Sequence, residues 1–533
     1  MKISKLTTPI FSVYLLIILT LIIRLIIAAS TGLGIGESYY FEGAKNLQLS
    51  YYDQPPLFFW LAGLSIRLFG LSSLALRLPT VLLFAGSTWL IYLIGKKLFN
   101  EWAGFYSAFL LNISLVFAVP VAVWLQPDSP LIFFWLLSVY FIILILFPLE
   151  AKKRNSPEIY VLWILTGISI GLTTLSKYHA IFLMAGVFLF ILLNKSQRFW
   201  IRHPGFYIAL VINLIVSLPI IIWNYHNHWA SFIFQGSRAG EHEFHLHFDW
   251  LLRSIIGQAL WLAPWIWIPL IKELFFSFKS GKNNPVYSFC FWTSILPILF
   301  FTIITLWTSI GFHFHWQAPG YMMLFLPLGA TIVNKIGNGD KSKLKVKRWL
   351  IFSALFTVVF GAVFLVQSNT GFWRSYGPGW LVTKFGGKYD PTIEGHDYVD
   401  IQERFEKEGW MNNPKIFVCS LRWWEAGKID WALKGEKKLI LLHFDPRNHA
   451  YFVNPKSLLG QDAILVGEKD ERDYKNNVVP FFDSIKALDD IDIKRRGIKE
   501  FSIKVYYCYN FHVPLRPKPD LPVYKQLIGR PPF

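Results

Sequence analysis

Charge is scarce in this sequence. Only 16% of its 533 residues are charged, while 54% are hydrophobic and 18% aromatic. A soluble protein carries roughly a quarter charged residues, so an ordinary water-soluble globule is excluded. Cysteine is scarcer still, with Cys290, Cys419 and Cys508 alone, and their spacing matches no metal motif. Cys419 and Cys508 both fall near the C-terminus, and the sequence leaves open whether they pair. No short-period repeat is present, which sets solenoids aside. The formal charge is +18, yet the basic residues form no single patch, so nucleic acid is not the expected partner.

What the chain has instead is apolar runs close to the length of about 20 residues that crosses a bilayer. Eleven spans are expected, over 10–29, 79–98, 103–121, 130–147, 161–175, 180–193, 206–223, 250–271, 286–307, 320–333 and 350–366. The first is longer than the apolar core of about 7–15 residues in a cleaved signal peptide, so it reads as a retained signal anchor. Lysine and arginine gather in alternate loops: Lys96 and Lys97, then Lys152, Lys153 and Arg154, then Lys195, Arg198 and Arg202, then Lys272, Lys279 and Lys282, then the basic run 335–348. Such residues accumulate on the cytoplasmic side. The N-terminus is therefore expected in the cytoplasm, with all that follows residue 366 outside, in a cell (inner) membrane. Every histidine but His203 then faces outward.

The fold class expected is a polytopic α-helical membrane protein with a C-terminal extracytoplasmic α/β domain. Residues 1–366 form the membrane part. Its first outer loop, 31–78, carries two interfacial helices, over 37–49 and 57–69, separated by Gln54-Pro55-Pro56. Residues 367–533 are richer in charge, glycine and proline. Strands are predicted at 415–420, 438–444, 463–466 and 501–509, and helices at 398–407 and 422–433.

The outer loops carry a set of short motifs. They are Gly36-Glu37-Ser38-Tyr39-Tyr40, Ser50-Tyr51-Tyr52-Asp53-Gln54-Pro55-Pro56-Leu57, Leu76-Arg77-Leu78-Pro79, Gln126-Pro127-Asp128-Ser129-Pro130, Ser176-Lys177-Tyr178, and Trp223-Asn224 with Trp229-Ala230-Ser231-Phe232. In this order they resemble the GT-C glycosyltransferases, in the family of bacterial protein O-mannosyltransferases and lipid A aminoarabinose transferases. The resemblance covers the membrane part, about two thirds of the chain. It implies transfer of a sugar from a polyprenyl-phosphate carrier to a cell-envelope glycan, lipid or protein on the outer face. In one place the sequence departs from the pattern: the first-loop aspartate, usually assigned as the base, aligns with Gly36.

Such chemistry needs a carboxylate to take the acceptor's proton and positive charge where the leaving phosphate develops its own. The candidate catalytic acids are Glu37, beside the vacated position, then Asp53, then Asp128, the last expected to orient donor, acceptor or metal. Asp53 also reads as a turn residue and Asp128 as a helix N-cap. Lys177 is the leading phosphate contact, although snorkelling would also explain it. Arg77 and Arg238 are weaker phosphate candidates. Arg24, inside the first span, is expected to snorkel outward or to pair with an acid. Tyr39, Tyr40, Tyr52, Tyr178, His313 and His315 complete the expected substrate-binding set.

His242, His245 and His247 with Asp249 tempt a metal reading, but no strict ligand pattern is present, so the cofactor is unknown and a divalent ion is left open. Arg422-Trp423-Trp424-Glu425 and Trp431 are read as core or membrane-facing before sugar-stacking. Two other classes compete. A transporter would show repeated halves and ionisable residues near the midplane, and neither is evident. A non-catalytic binder of lipid-linked glycan would explain Gly36.

Overall fold

The computed structural model describes residues 8–148, 154–238, 245–308, 313–376, 379, 390–467 and 473–533. The chain opens with α1 (Pro9–Ser30), followed by α2 (Ile35–Lys45), α3 (Leu57–Phe69) and α4 (Ser73–Leu98). Among the described residues six helices are each long and apolar enough to cross a membrane, and up to nine spans result if each of three bent pairs counts as one. Every predicted span falls on a helix or a bent pair. The fifth, expected to be short, is the 20-residue helix Pro157–Ser176, and the last runs from Asp340 to Thr370. The sharpest bend, 110° between Phe248–Leu262 and Pro264–Ser280, has a local cause. Proline disfavours the helical conformation in the residue before it, and Ala263 sits at φ 71°. Along α1, Ile18, Ile22 and Ile26 remain exposed, the face a lipid-facing helix presents. Helix Ala318–Gly337 is buried over most of its length and forms the centre of the bundle.

The first outer loop departs from expectation in one respect. Its first helix stops at Lys45, not near residue 49. The Tyr51 hydroxyl explains the stop: it accepts from the Gln48 backbone N–H (3.1 Å) and donates to Gly43 O (2.9 Å), folding the chain back over the helix end. Residues 46–56 then form the turn that carries Tyr51, Tyr52 and Asp53.

The described residues of the C-terminal part hold six strands, β1 (Ile416–Ser420), β2 (Leu439–Leu441), β3 (Asp462–Gly467), β4 (Phe482–Ala487), β5 (Ile491–Arg495) and β6 (Ile498–Phe511). β1 runs parallel to β2 and β3, and β6 pairs antiparallel with β3, β4 and β5. Four of these strands and the helices Val399–Lys407 and Trp423–Ala432 lie where the sequence predicts them. β4 and β5 do not, because β4 is largely exposed and both alternate acids with lysine or arginine. Cys419 and Cys508 are buried in the sheet as free thiols.

Two buried polar clusters join this sheet to the membrane part. Arg495 pairs with Asp390 (2.7 Å) and Glu500 (2.9 Å) and donates to Gln367 O, at the end of the last long helix. On the other side Lys45 of α2 donates to both carboxylate oxygens of Asp430 at 3.0 Å, and burial pushes the Asp430 carboxyl up to about 6 despite that lysine. Helix Trp423–Ala432 lies directly against α2. A Cβ on Gly427 would come within 2.7 Å of the Tyr39 backbone, so only glycine permits this approach.

Candidate functional site

Glu37 is the first acid of the outer loop, and its carboxylate is fully engaged. Oε1 accepts from Arg77 Nε (2.7 Å) and from the Leu125 N–H (2.7 Å). Oε2 accepts from Arg77 Nη2 (2.5 Å) and from the Gly34 N–H at the start of α2 (3.0 Å). Arg77 spends its remaining donors on Ala28 O, Thr31 O, Thr31 Oγ1 and Gly32 O. Both side chains are buried. A carboxylate accepting four hydrogen bonds has its lone pairs engaged, and an arginine with every donor filled has none to give a phosphate. The geometry therefore makes this pair a brace between α1, α2 and α4, in which the acid expected as base and the arginine expected as phosphate contact are engaged with each other.

Asp53 lies in a different environment. It is buried, and its Oδ2 accepts from the Tyr39 hydroxyl (3.0 Å) while Oδ1 accepts from Asn448 Nδ2 (2.9 Å). Gln235 Nε2 holds its backbone carbonyl (2.7 Å). Arg447 Nη1 stands 3.9 Å from Oδ2, beyond hydrogen-bonding distance. Burial raises the Asp53 carboxyl above its ordinary value, although Arg447, Tyr39, Asn448 and Arg238 all pull the other way. Arg447 lies over the Trp423 ring, 3.8 Å from its centroid. Its Nε is buried without a hydrogen bond among the described residues, 3.6 Å from Asp445 Oδ2, and its backbone is left-handed at φ 49°. A strained residue with an unfilled donor is a common mark of a ligand contact.

Asp128 is the first residue of helix Asp128–Leu146, whose N-cap is Pro127, so its side chain does not cap the helix as the sequence suggests. Both its oxygens accept from Lys177 Nζ, at 2.9 and 3.0 Å, in a buried pair. Lys177 closes helix Pro157–Ser176 and does not snorkel. Its ammonium is 5.8 Å from the Trp316 ring, and Arg238 approaches the same ring at 5.6 Å. His313 stacks on Trp316, centroids 4.8 Å apart. Burial, then Arg238, Lys177 and Arg447, lower His313 to about 4, and burial with Lys177 and His313 brings His315 to about 3 against the opposing pull of Asp128. Among the described residues no carboxylate lies within ion-pair distance of Arg238. Arg238, Arg447, Lys177 and the two neutral imidazoles thus share one electrostatic neighbourhood with Asp53 and Asp128.

The expected tyrosines divide. The Tyr39 hydroxyl is spent on Asp53. Tyr178 shares a 2.9 Å hydrogen bond with Ser231. Tyr52 packs its ring against Phe234 and Phe533. Tyr40 keeps its hydroxyl without a partner among the described residues, within the fields of Asp53, Arg447, Asp128 and Arg238, and burial makes that hydroxyl a weaker acid than usual. Arg24 neither snorkels nor pairs with an acid: it donates to Ala118 O (3.2 Å) and lies over Phe84. His247 stacks on Trp250, and His242 lies outside the described residues. No three His, Cys, Asp or Glu side chains converge to hold a metal among the described residues. Trp423 underlies Arg447, and Trp431 packs on Phe41 and donates to Asp397. Arg447, Asn448 and Trp316 escape the sequence reading. The first two belong to the turn Asp445-Pro446-Arg447-Asn448-His449, about 400 residues from Asp53, and no local pattern marks them.

The family of dolichyl-phosphate-mannose-protein mannosyltransferases matches residues 53–223. Among curated relatives, an undecaprenyl phosphate-α-4-amino-4-deoxy-L-arabinose arabinosyl transferase of Proteus mirabilis is 24% identical over 312 residues, 56% of this chain and 52% of that protein. The lipid A galacturonosyltransferase RgtD of Rhizobium johnstonii is 24% identical over 200 residues, 37% of this chain and 39% of that protein. The chain thus spans about half the length, or less, of these relatives. In three dimensions it is similar to ArnT from Cupriavidus metallidurans bound to undecaprenyl phosphate, with TM-score 0.60 and 12% identity over 93% of this chain and 97% of that one. The apo form of the same protein gives 0.58. At that identity the likeness is one of fold, and it extends through both the helices and the C-terminal sheet.

Proposed function

We infer, from the premise that this multi-pass membrane protein belongs to the GT-C superfamily of glycosyltransferases, that it moves a sugar from a polyprenyl-phosphate carrier to an envelope glycan, lipid or protein. Asp53 is the base and the outer face of the membrane is the place. One observation carries this assignment: Asp53 is a buried carboxylate facing Arg447, whose Nε stands 3.6 Å from Asp445 without a hydrogen bond, in the neighbourhood of Arg238, which has no carboxylate partner among the described residues. The acceptor oxygen bonds the anomeric carbon as that carbon's bond to the phosphate oxygen breaks. The acceptor proton passes to Asp53. The charge left on the polyprenyl phosphate develops opposite Arg238 and Arg447, in a site dry enough to make those cations effective. Lys177 adds positive field, and Asp128 fixes it in place. Tyr40 offers a hydroxyl to the sugar. The basic loops support a cytoplasmic N-terminus and an external sheet, with eleven crossings.

A cell-free assay with radiolabelled polyprenyl-phosphate sugars and membrane extract as acceptor tests the reading, and transfer of label is expected. The second reading, a non-catalytic binder of lipid-linked glycan, draws on Gly36. A Cβ there meets nothing within 4 Å, so the family's aspartate would fit and is simply lacking. If Gly36→Asp alone creates transfer in an otherwise silent protein, the binder is correct.

A further inference from the structure

Asn448 sits in the C-terminal part, far along the chain from the first outer loop, yet its side chain and its backbone are both committed to that loop. Its Oδ1 accepts from the Tyr52 N–H at 2.8 Å. That bond fixes the amide orientation, because a backbone N–H requires the oxygen to face it. The amide nitrogen is thereby turned to Asp53 Oδ1, 2.9 Å away. The Asn448 N–H donates to the Tyr39 hydroxyl at 3.2 Å, and the hydroxyl in turn donates to Asp53 Oδ2 at 3.0 Å. Once that hydroxyl accepts from Asn448, its own proton has a defined direction, towards the carboxylate. One buried residue therefore governs a donor on each oxygen of Asp53.

Resting on the assignment of Asp53 as base, we propose that Asn448 is a positioning residue: from the C-terminal part it orients the Asp53 carboxylate and favours its charged form with a hydrogen bond. Burial disfavours the carboxylate, and hydrogen bonds to the charged form favour it. The other groups that bear on Asp53 are Arg447, Arg238, Tyr39, Tyr40, Tyr52 and Tyr178. None of the other side chains has the geometry of Asn448, which bonds the carboxylate directly and also supports the Tyr39 donor. The same turn carries Arg447 at its strained φ, so the donor to the base and the cation facing it come from one turn. The membrane part alone would lack both.

The test is an infrared difference titration of the Asp53 carboxyl in the full chain in detergent, each background recorded against its own Asp53→Asn partner. Asn448→Ala is expected to raise the midpoint by about one pH unit, a tenfold change in acidity, as befits one lost hydrogen bond. Asn448→Asp keeps an acceptor for Tyr52 but sets a second carboxylate against Asp53. It should shift the titration further and split it into two steps. Should the alanine variant fail to fold, the aspartate variant carries the test alone. Lys45→Met serves as the docking control. It removes the bond to Asp430 and touches no donor to Asp53, and its midpoint should stay in place. Unmoved midpoints in both Asn448 variants, or an equal shift in Lys45→Met, would overturn the proposal and leave Asn448 a docking contact. The titration reads Asp53 whether or not it is the base, so failure of the enzymatic assignment would appear separately, in transfer by Asp53→Asn.

Discussion

Glu37 and Arg77 meet as two parallel hydrogen bonds, Nε to Oε1 at 2.7 Å and Nη2 to Oε2 at 2.5 Å, with neither side chain open to solvent. Removing one member leaves a buried charge uncompensated, at a cost of about 3–5 kcal/mol. Arg77→Met should therefore lower the thermal midpoint in detergent and the yield of folded protein. Glu37→Gln should do so too, in contrast to the selective loss of turnover that a general base would give. A Glu37→Gln protein that is stable yet inactive would contradict the brace.

Lys177 and Asp128 form a second buried pair, closer to the substrate cations. Lys177→Ala should weaken both the fold and donor binding, whereas Lys177→Arg should keep part of each. Thermal unfolding and equilibrium binding of a labelled polyprenyl phosphate separate the two effects. If binding is unchanged at equal stability, the lysine acts only within its pair.

Arg238 differs because it has no carboxylate partner among the described residues. Arg238→Gln should leave the unfolding midpoint within about a degree or two, since no buried ion is stranded. It should weaken polyprenyl-phosphate binding by a charge-assisted hydrogen bond, about 1.5–3 kcal/mol or roughly 10- to 150-fold. Loss of stability without loss of binding would remove it from the phosphate site.

The pH dependence follows from Asp53. Its carboxyl is raised above the usual range by burial, and only the ionised form can take a proton. Turnover should be full above that raised value and fall as pH drops through it, with the acid limb above the ordinary aspartate value of about 3.9. A profile flat down to about pH 4 would show that Asp53 is not the titrating base.

The membrane architecture was legible because a bilayer imposes length and polarity on every crossing helix. The motifs were legible as a family pattern. The use made of each residue was not. Glu37 stands beside the vacated Gly36, and sequence proximity favoured it as the base. Its fate depends on Arg77, 40 residues away, and on the Leu125 N–H, 88 residues away. Arg447 and Asn448 were invisible for the same reason: the fold brings them to Asp53 across about 400 residues, and a polar turn gives no periodic signal. β4 and β5 were missed because strands with an exposed face can carry charge without an apolar run.

The central claim is that Asp53 takes the proton. Transfer of labelled sugar by Asp53→Asn, compared with the native protein at equal folded concentration and saturating donor, tests it directly. Asparagine keeps the size and an acceptor but cannot accept the proton. Turnover should fall by about 10²–10⁴, the usual worth of a general base, with donor binding retained. Transfer within a few-fold of the native rate would contradict the account.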